Sequence, residues 1–247
     1  MKLKTLAMGL FLATSVTAAH ATLFTGSYGT LLANESNCDD CSTGQYNFGA
    51  GHDINFFGTT YSGLYTGSNG YVTFGGGASS FSSIPLNTQA IRPMIAGLFT
   101  DLDSRADAAS NVYLNDSTAG QLIITWLDMG HFSQNYGVRS TFQLVVRSDQ
   151  FATPAGEGQI GFFYDAITDG SIASAGFGDG LAAINPGEVS FYSGAPASGL
   201  SNSAPRWYTI NEGVPTENNG VPEPATLLLL GSGLLGLGLS RKFAKKG

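Results

Sequence analysis

Apolar and polar residues alternate with a period of two through much of the stretch from Thr22 to Gly220. In Gln121–Leu127, Leu122, Ile124 and Trp126 share one face, while Ile123, Thr125 and Leu127 take the other. In Thr141–Arg147, Phe142, Leu144 and Val146 face one way and Gln143, Val145 and Arg147 the other. Ile160, Phe162 and Tyr164 repeat the pattern, and Tyr71–Phe74, Met94–Phe99, Val112–Leu114, Val189–Tyr192 and Trp207–Ile210 are shorter candidates. Side chains on a strand point to alternate faces, so these runs predict strands. Leu122–Leu127 is apolar on both faces, as expected of a central strand covered by a second sheet. Turn chemistry separates the runs at Ser68-Asn69-Gly70, Asn115-Asp116-Ser117, Pro154-Ala155-Gly156 and Asn185-Pro186-Gly187. No apolar pattern at helical spacing lasts three turns. Many short strands at close spacing predict an all-β domain, an antiparallel sandwich or barrel-like fold.

The two ends follow a different pattern. Lys2 and Lys4 precede an apolar run from Leu6 to Val16, and Ala19-His20-Ala21 then places small residues where a signal peptidase reads. Residues 1–21 are therefore expected to be a secretory signal peptide, cleaved between Ala21 and Thr22. Near the other end, Ala225–Leu239 is uncharged and rich in leucine and glycine, and Arg241, Lys242, Lys245 and Lys246 follow it. As a helix, that segment would be roughly 22 Å long, short of a bilayer core of about 30 Å. The basic cluster would stay cytoplasmic and place the preceding chain outside. Just upstream stand Pro222, Glu223 and Pro224. The order of Pro-Glu-Pro, short apolar helix and basic tail resembles the PEP-CTERM sorting signal of Gram-negative bacteria. The resemblance implies recognition at Pro222-Glu223-Pro224 by an exosortase, a transient anchor in the inner membrane, and delivery to the cell surface or beyond. The expected organisation is thus a signal peptide over 1–21, a domain over 22–215, a linker over 216–220 and a sorting segment over 221–247, with its membrane helix at 225–239.

Composition narrows the role of the domain. Charged residues make up only 12% of the chain, about half the usual share, while glycine occupies 34 positions. Between the basic ends lie five arginines, no lysine and all 18 acidic residues. An acidic surface repels phosphate backbones, so nucleic-acid binding is not expected.

Several segments between about Asp53 and Ser190 carry a second likeness. They are Phe57-Gly58-Thr59-Thr60-Tyr61, Ser68-Asn69-Gly70-Tyr71-Val72-Thr73-Phe74-Gly75, Arg92-Pro93-Met94-Ile95-Ala96 and Thr100-Asp101-Leu102-Asp103-Ser104-Arg105. Thr125-Trp126-Leu127-Asp128-Met129-Gly130, Thr141-Phe142-Gln143-Leu144-Val145 and Ala175-Gly176-Phe177-Gly178-Asp179-Gly180 follow in order. Together they resemble the nidogen-type extracellular domain. That resemblance implies an all-β fold and a role in adhesion rather than catalysis, with no binding residue to carry over.

The chemistry-bearing residues are few. Asp101, Asp103 and Asp107 follow the 1, 3, 7 spacing of a calcium loop, in which alternate oxygens converge on a hard cation. Ala106 and Val112 stand where an EF-hand requires glycine and glutamate, and the alternative is a turn with Asp101 or Asp103 paired to Arg105. Calcium is thus a possible ligand, and no other cofactor is indicated. Cys38 and Cys41 are the only cysteines, and in an exported chain such a pair is expected to close a disulfide. Asp39 and Asp40 between them oppose the lowered thiol pKa that redox chemistry needs. His131 lies near Asp128 and Ser133, but neighbours along one strand do not supply Ser-His-Asp geometry. No nucleophile elbow, metalloprotease helix or phosphate loop is present.

The expected protein is exported, surface-sorted and non-enzymatic, with a role in adhesion to an extracellular matrix protein. The alternative is a module binding exopolysaccharide through exposed aromatics among Tyr61, Tyr65, Tyr71, Trp126, Tyr136 and Trp207. A secreted glycan hydrolase, which needs two carboxylates across a groove, ranks third.

Overall fold

The computed structural model describes residues 23–106 and 108–218. The signal peptide with Ala19, Ala21 and Thr22, the sorting residues Pro222, Glu223 and Pro224, the helix expected at 225–239, and Asp107 all lie outside the described residues.

Sixteen strands are present among the described residues. In chain order the first eight are β1 (Thr30–Leu31), β2 (Tyr46–Asn47), β3 (Ile54–Phe56), β4 (Thr59–Tyr61), β5 (Gly63–Gly67), β6 (Tyr71–Thr73), β7 (Met94–Phe99) and β8 (Leu102–Asp103). The remainder are β9 (Asn111–Thr118), β10 (Gln121–His131), β11 (Asn135–Arg147), β12 (Ile160–Ile167), β13 (Ile172–Gly178), β14 (Val189–Pro196), β15 (Arg206–Asn211) and β16 (Val214–Glu217). Only short 3-10 turns interrupt them, at Ala33–Glu35, Ser104–Ala106 and Ala197–Leu200.

The strands form two main sheets, all of whose pairings are antiparallel. The larger runs β1-β9-β10-β11-β12-β15-β16, with β8 also on β10, and the smaller runs β14-β13-β7-β6-β5-β2. β3 and β4 make a separate hairpin. The all-β antiparallel sandwich is therefore the fold.

The alternating residues pack as their spacing requires. Leu122, Ile124, Trp126, Phe142, Leu144, Val146, Ile160, Phe162 and Tyr164 enter one core with Val72, Ile95, Leu98, Ala175 and Phe177 of the facing sheet. Trp126 stacks on Phe142 at 4.9 Å, and its indole N–H donates to the Gly67 carbonyl at 3.0 Å. The Tyr164 hydroxyl donates to the Gly97 carbonyl at 2.8 Å. These two bonds satisfy buried polar groups across the sheets and so fix their relative placement.

The outer face of β10–β12 departs from expectation. Ile123, Val145 and Phe163 are buried there by Phe24 of the amino-terminal arm and by Trp207, not by another sheet. Gln143 secures the arm by accepting from the Thr25 N–H and donating to its carbonyl. A second departure concerns Asn115-Asp116-Ser117, which lie inside β9; the chain turns instead at Ala119-Gly120, and the β9–β10 register shifts beside it. Gly120 has φ +79°, a conformation that glycine adopts without strain.

Candidate functional site

One end of the sandwich gathers a cluster of ionisable side chains. β7 ends at Phe99, and the chain turns through Thr100 and Asp101 into β8, which pairs with the far end of β10 at His131. The Phe132 N–H donates to the Asp101 carbonyl at 3.0 Å, which locks this turn to the β10–β11 hairpin. Cys38 and Cys41 are joined by a disulfide whose short loop carries Asp39 and Asp40 to the same place. Ser104 braces that loop, accepting from the Cys38 N–H at 2.8 Å.

Asp39, Asp40 and Asp101 each bring a carboxylate oxygen within 4.8 Å of the others. Asp40 accepts from the Asn69 amide at 2.8 Å, and Asp39 is paired with Arg105. One oxygen of Asp101 and one of Asp39 are enclosed without a hydrogen-bond partner. Burial, then Asp40 and Asp39, pushes the Asp101 carboxyl up to about 6. Burial, followed by repulsion from Asp103, likewise raises Asp39 despite its arginine. An all-oxygen donor set of this kind suits a hard cation.

The set differs from the one the spacing suggested. Asp103 is fully buried, and its oxygens are occupied by Arg105 at 2.8 and 2.7 Å and by the Gln134 N–H at 3.0 Å. Burial pushes its carboxyl up, but these donors outweigh that and hold it below the usual carboxylate range. Asp103 thus completes an ion pair, which was the alternative reading, and Asp101 turns towards the disulfide loop.

His131 faces neither Asp128 nor Ser133. Asp128 lies 3.5 Å from Arg139, and Ser133 occupies the hairpin turn with φ +64°. The ring instead contacts the β12–β13 crossover: Nδ1 is 3.1 Å from Asp169 Oδ2, and Nε2 is 3.1 Å from Ser171 Oγ. The order of groups matches a Ser-His-Asp chain, yet Nδ1 and Oδ2 are out of line for a hydrogen bond, unlike the aligned pair that orients a catalytic imidazole. Asp169 also accepts from the Ser171 N–H at 2.8 Å. We read the group as a staple between β10 and the crossover. Its electrostatics agree: Asp169 holds the His131 pKa above its ordinary value, and burial of Asp169 is outweighed by His131 and Ser171, which keep its carboxyl low.

Around this charged centre stand exposed apolar side chains. Phe132 and Tyr136 on the β10–β11 hairpin are each 55% exposed, and Ile172 at the start of β13 is exposed beside the staple. Arg139 lies over the Tyr136 ring at 5.8 Å. A cavity of ≈ 470 Å³, lined by Leu31, Ser36, Asn37, Ser104, Arg105 and Asn111, adjoins the same end through Arg105. Of the other aromatics considered for ligand stacking, Tyr71 and Trp126 are buried in the core.

Sequence spacing did not reveal Asp39 and Asp40 as partners of Asp101, nor Asp169 and Ser171 as partners of His131. The separations are about 60 and 40 residues, and the contacts exist only once the two sheets meet. The Cys-Asp-Asp-Cys run is the one local signal, since a disulfide must project the residues it encloses.

Comparison with known proteins supplies the remaining context. Residues 220–242 match the PEP-CTERM protein-sorting motif, which marks the chain for exosortase processing, export and a surface or extracellular location. No curated protein and no solved structure matches the chain. The family described as NIDO related matches residues 14–218, which takes in every strand among the described residues and extends well beyond the stretch from Asp53 to Ser190. On that match the chain belongs to the NIDO-related family.

Proposed function

We propose that this exported, surface-sorted protein is a non-enzymatic adhesion module that holds an extracellular matrix protein at the end bearing the β10–β11 hairpin. One observation carries the reading: a disulfide-braced end presents Phe132, Tyr136 and Ile172 around the acidic cluster of Asp39, Asp40 and Asp101. Contact surfaces of this type combine aromatic anchors with a polar rim. The bonds from Asp101 and Asp103 to the hairpin supply preorganisation, which lowers the entropy lost on binding. The acidic balance favours a partner with a basic face.

A second reading, exopolysaccharide binding, is favoured by the exposed Phe132 and Tyr136 rings, because sugar rings stack on aromatic faces while their hydroxyls take carboxylates. A binding screen of the exported chain against matrix proteins and glycans tests both. Matrix binding that weakens at least tenfold in Phe132→Ala/Tyr136→Ala supports the first. Glycan binding with the same sensitivity supports the second, and binding to neither class removes both.

A further inference from the structure

The opposite end of the sandwich carries a feature that adhesion at the hairpin does not use. Leu181 and Ile184, in the β13–β14 loop, are each 72% exposed, more than any other large apolar side chain among the described residues. Ala182 and Ala183 between them are also exposed, so the tip is a continuous uncharged apolar run.

The exposure is built into the loop. Glu188 accepts from the Asp179 N–H at 2.8 Å and from the Asn185 N–H at 2.6 Å. Asp179 accepts from the Leu181 N–H at 2.9 Å and from the Asn185 side-chain amide at 2.6 Å. The Ala182 N–H donates to the Gln89 carbonyl at 3.1 Å. Both carboxylates nearest the tip are therefore drawn into its base, and only methyl-bearing side chains project.

The position of the loop points to what meets it. β13 runs from Ile172, beside the His131 staple, to Gly178, which pairs with Met94 at the far end of β7. Seven residues of strand span about 20 Å, so the loop and the hairpin lie at opposite ends. Gly187 packs against Val214 of β16, the last strand. β16 runs about 10 Å from Val214, and Asn218 beyond it is bonded to the carbonyls of Trp207 and Glu157. The seven residues from Asn218 to Ala225 reach up to about 24 Å, enough to bring the loop and the start of the apolar sorting segment to one plane.

We propose that Leu181 and Ile184 insert into the surface of the lipid bilayer that the C-terminal segment enters before exosortase processing, so that the still-anchored domain rests on that membrane loop-down with its hairpin end pointing away. The inference rests on that segment holding the chain at a membrane, and not on the identity of the adhesion ligand. Two side chains bind a bilayer weakly on their own, but a tether raises their effective concentration. The tip from Leu181 to Ile184 carries no charged side chain, so the contact it makes is hydrophobic.

The test uses the full chain reconstituted in phosphatidylcholine vesicles with brominated acyl chains. Leu181→Trp places an emitter in the loop and Tyr136→Trp places one in the hairpin, each read against the parent with Trp126 and Trp207. Bromolipid is expected to quench the added emission at Leu181→Trp severalfold more than at Tyr136→Trp. Equal quenching at the two positions overturns the proposal. Shielding of Leu181→Trp from iodide without bromolipid quenching, growing with protein concentration, also overturns it and assigns the tip to a second copy. Leu181→Ser/Ile184→Ser is expected to keep parent-level ligand binding in the matrix and glycan screen; loss there reassigns the tip to the adhesion ligand and overturns membrane contact.

Discussion

The two ends of the sandwich solve the problem of a projecting loop in contrasting ways. At the hairpin end, Asp39, Asp103, Asp169, Arg105 and His131 hold several chain segments together through ionised groups, with a disulfide and exposed aromatics at the rim. At the other end, the β13–β14 loop is held by backbone amides on two carboxylates and presents only apolar side chains. A charged end is costly to bury and sensitive to pH. The loop also rests on carboxylates, but its donors are backbone amides, so it depends on backbone conformation as well. The contrast separates a face suited to a polar partner from one suited to an apolar phase.

The largest break in that comparison is expected from Asp103→Ala. It removes a fully buried carboxylate and leaves Arg105 and the Gln134 N–H without it, for a loss of about 3 kcal/mol in urea unfolding. Gly187→Ala attacks the other end. Gly187 has φ +88°, and a methyl group there would collide with Val214, so a loss of about 2 kcal/mol is expected. Hydrogen exchange should rise in residues 179–188 and leave the hairpin unchanged.

Asp101→Asn should act in the opposite direction. Because folding raises this carboxyl from 3.8 to about 6, its ionised form opposes the fold, and stability declines as pH rises through that interval. Removing the charge is expected to stabilise the protein by about 1 kcal/mol at pH 7.5, measured with a chelator present, with the gain absent near pH 3.5. Equal stability of variant and parent at pH 7.5 would contradict the burial and repulsion assigned to it.

The smallest effect belongs to the staple. His131 is held above its ordinary 6.5, so its contribution is complete below that value and is lost as pH rises through the folded value. Asp169 is held below 3.8, so its contribution is present above that value and is lost as pH falls through the folded one. The pair therefore stabilises most between these limits, by under about 1 kcal/mol. His131→Gln should flatten the alkaline slope of unfolding free energy while leaving the 179–188 loop unaltered.

Legibility from sequence divided along similar lines. Strands with period-two patterning, such as β10, β11 and β12, and the wholly apolar β7 were readable because one or both faces are buried and the period is fixed by the pleat. β13 was not, since Ile-Ala-Ser-Ala-Gly-Phe-Gly offers little bulk to alternate. It sits between β14 and β7 in the smaller sheet, where Gly176, at φ +141°, lies against Val189 and a side chain would clash. β1, β2 and β8 are two residues long and owe their existence to the strand they join. The disulfide partners were legible because only two cysteines exist and they are three residues apart in sequence.

The class of fold, the export address and the acidic, lysine-free character of the domain can all be read along the chain, because each depends on local order or composition. Tertiary structure alone decided which carboxylates meet. Asp101 joins Asp39 and Asp40 rather than Asp103, and His131 joins Asp169 rather than Asp128. The reason is physical: a carboxylate's partner is set by distances of a few ångströms across packed sheets, and chain spacing carries no record of them.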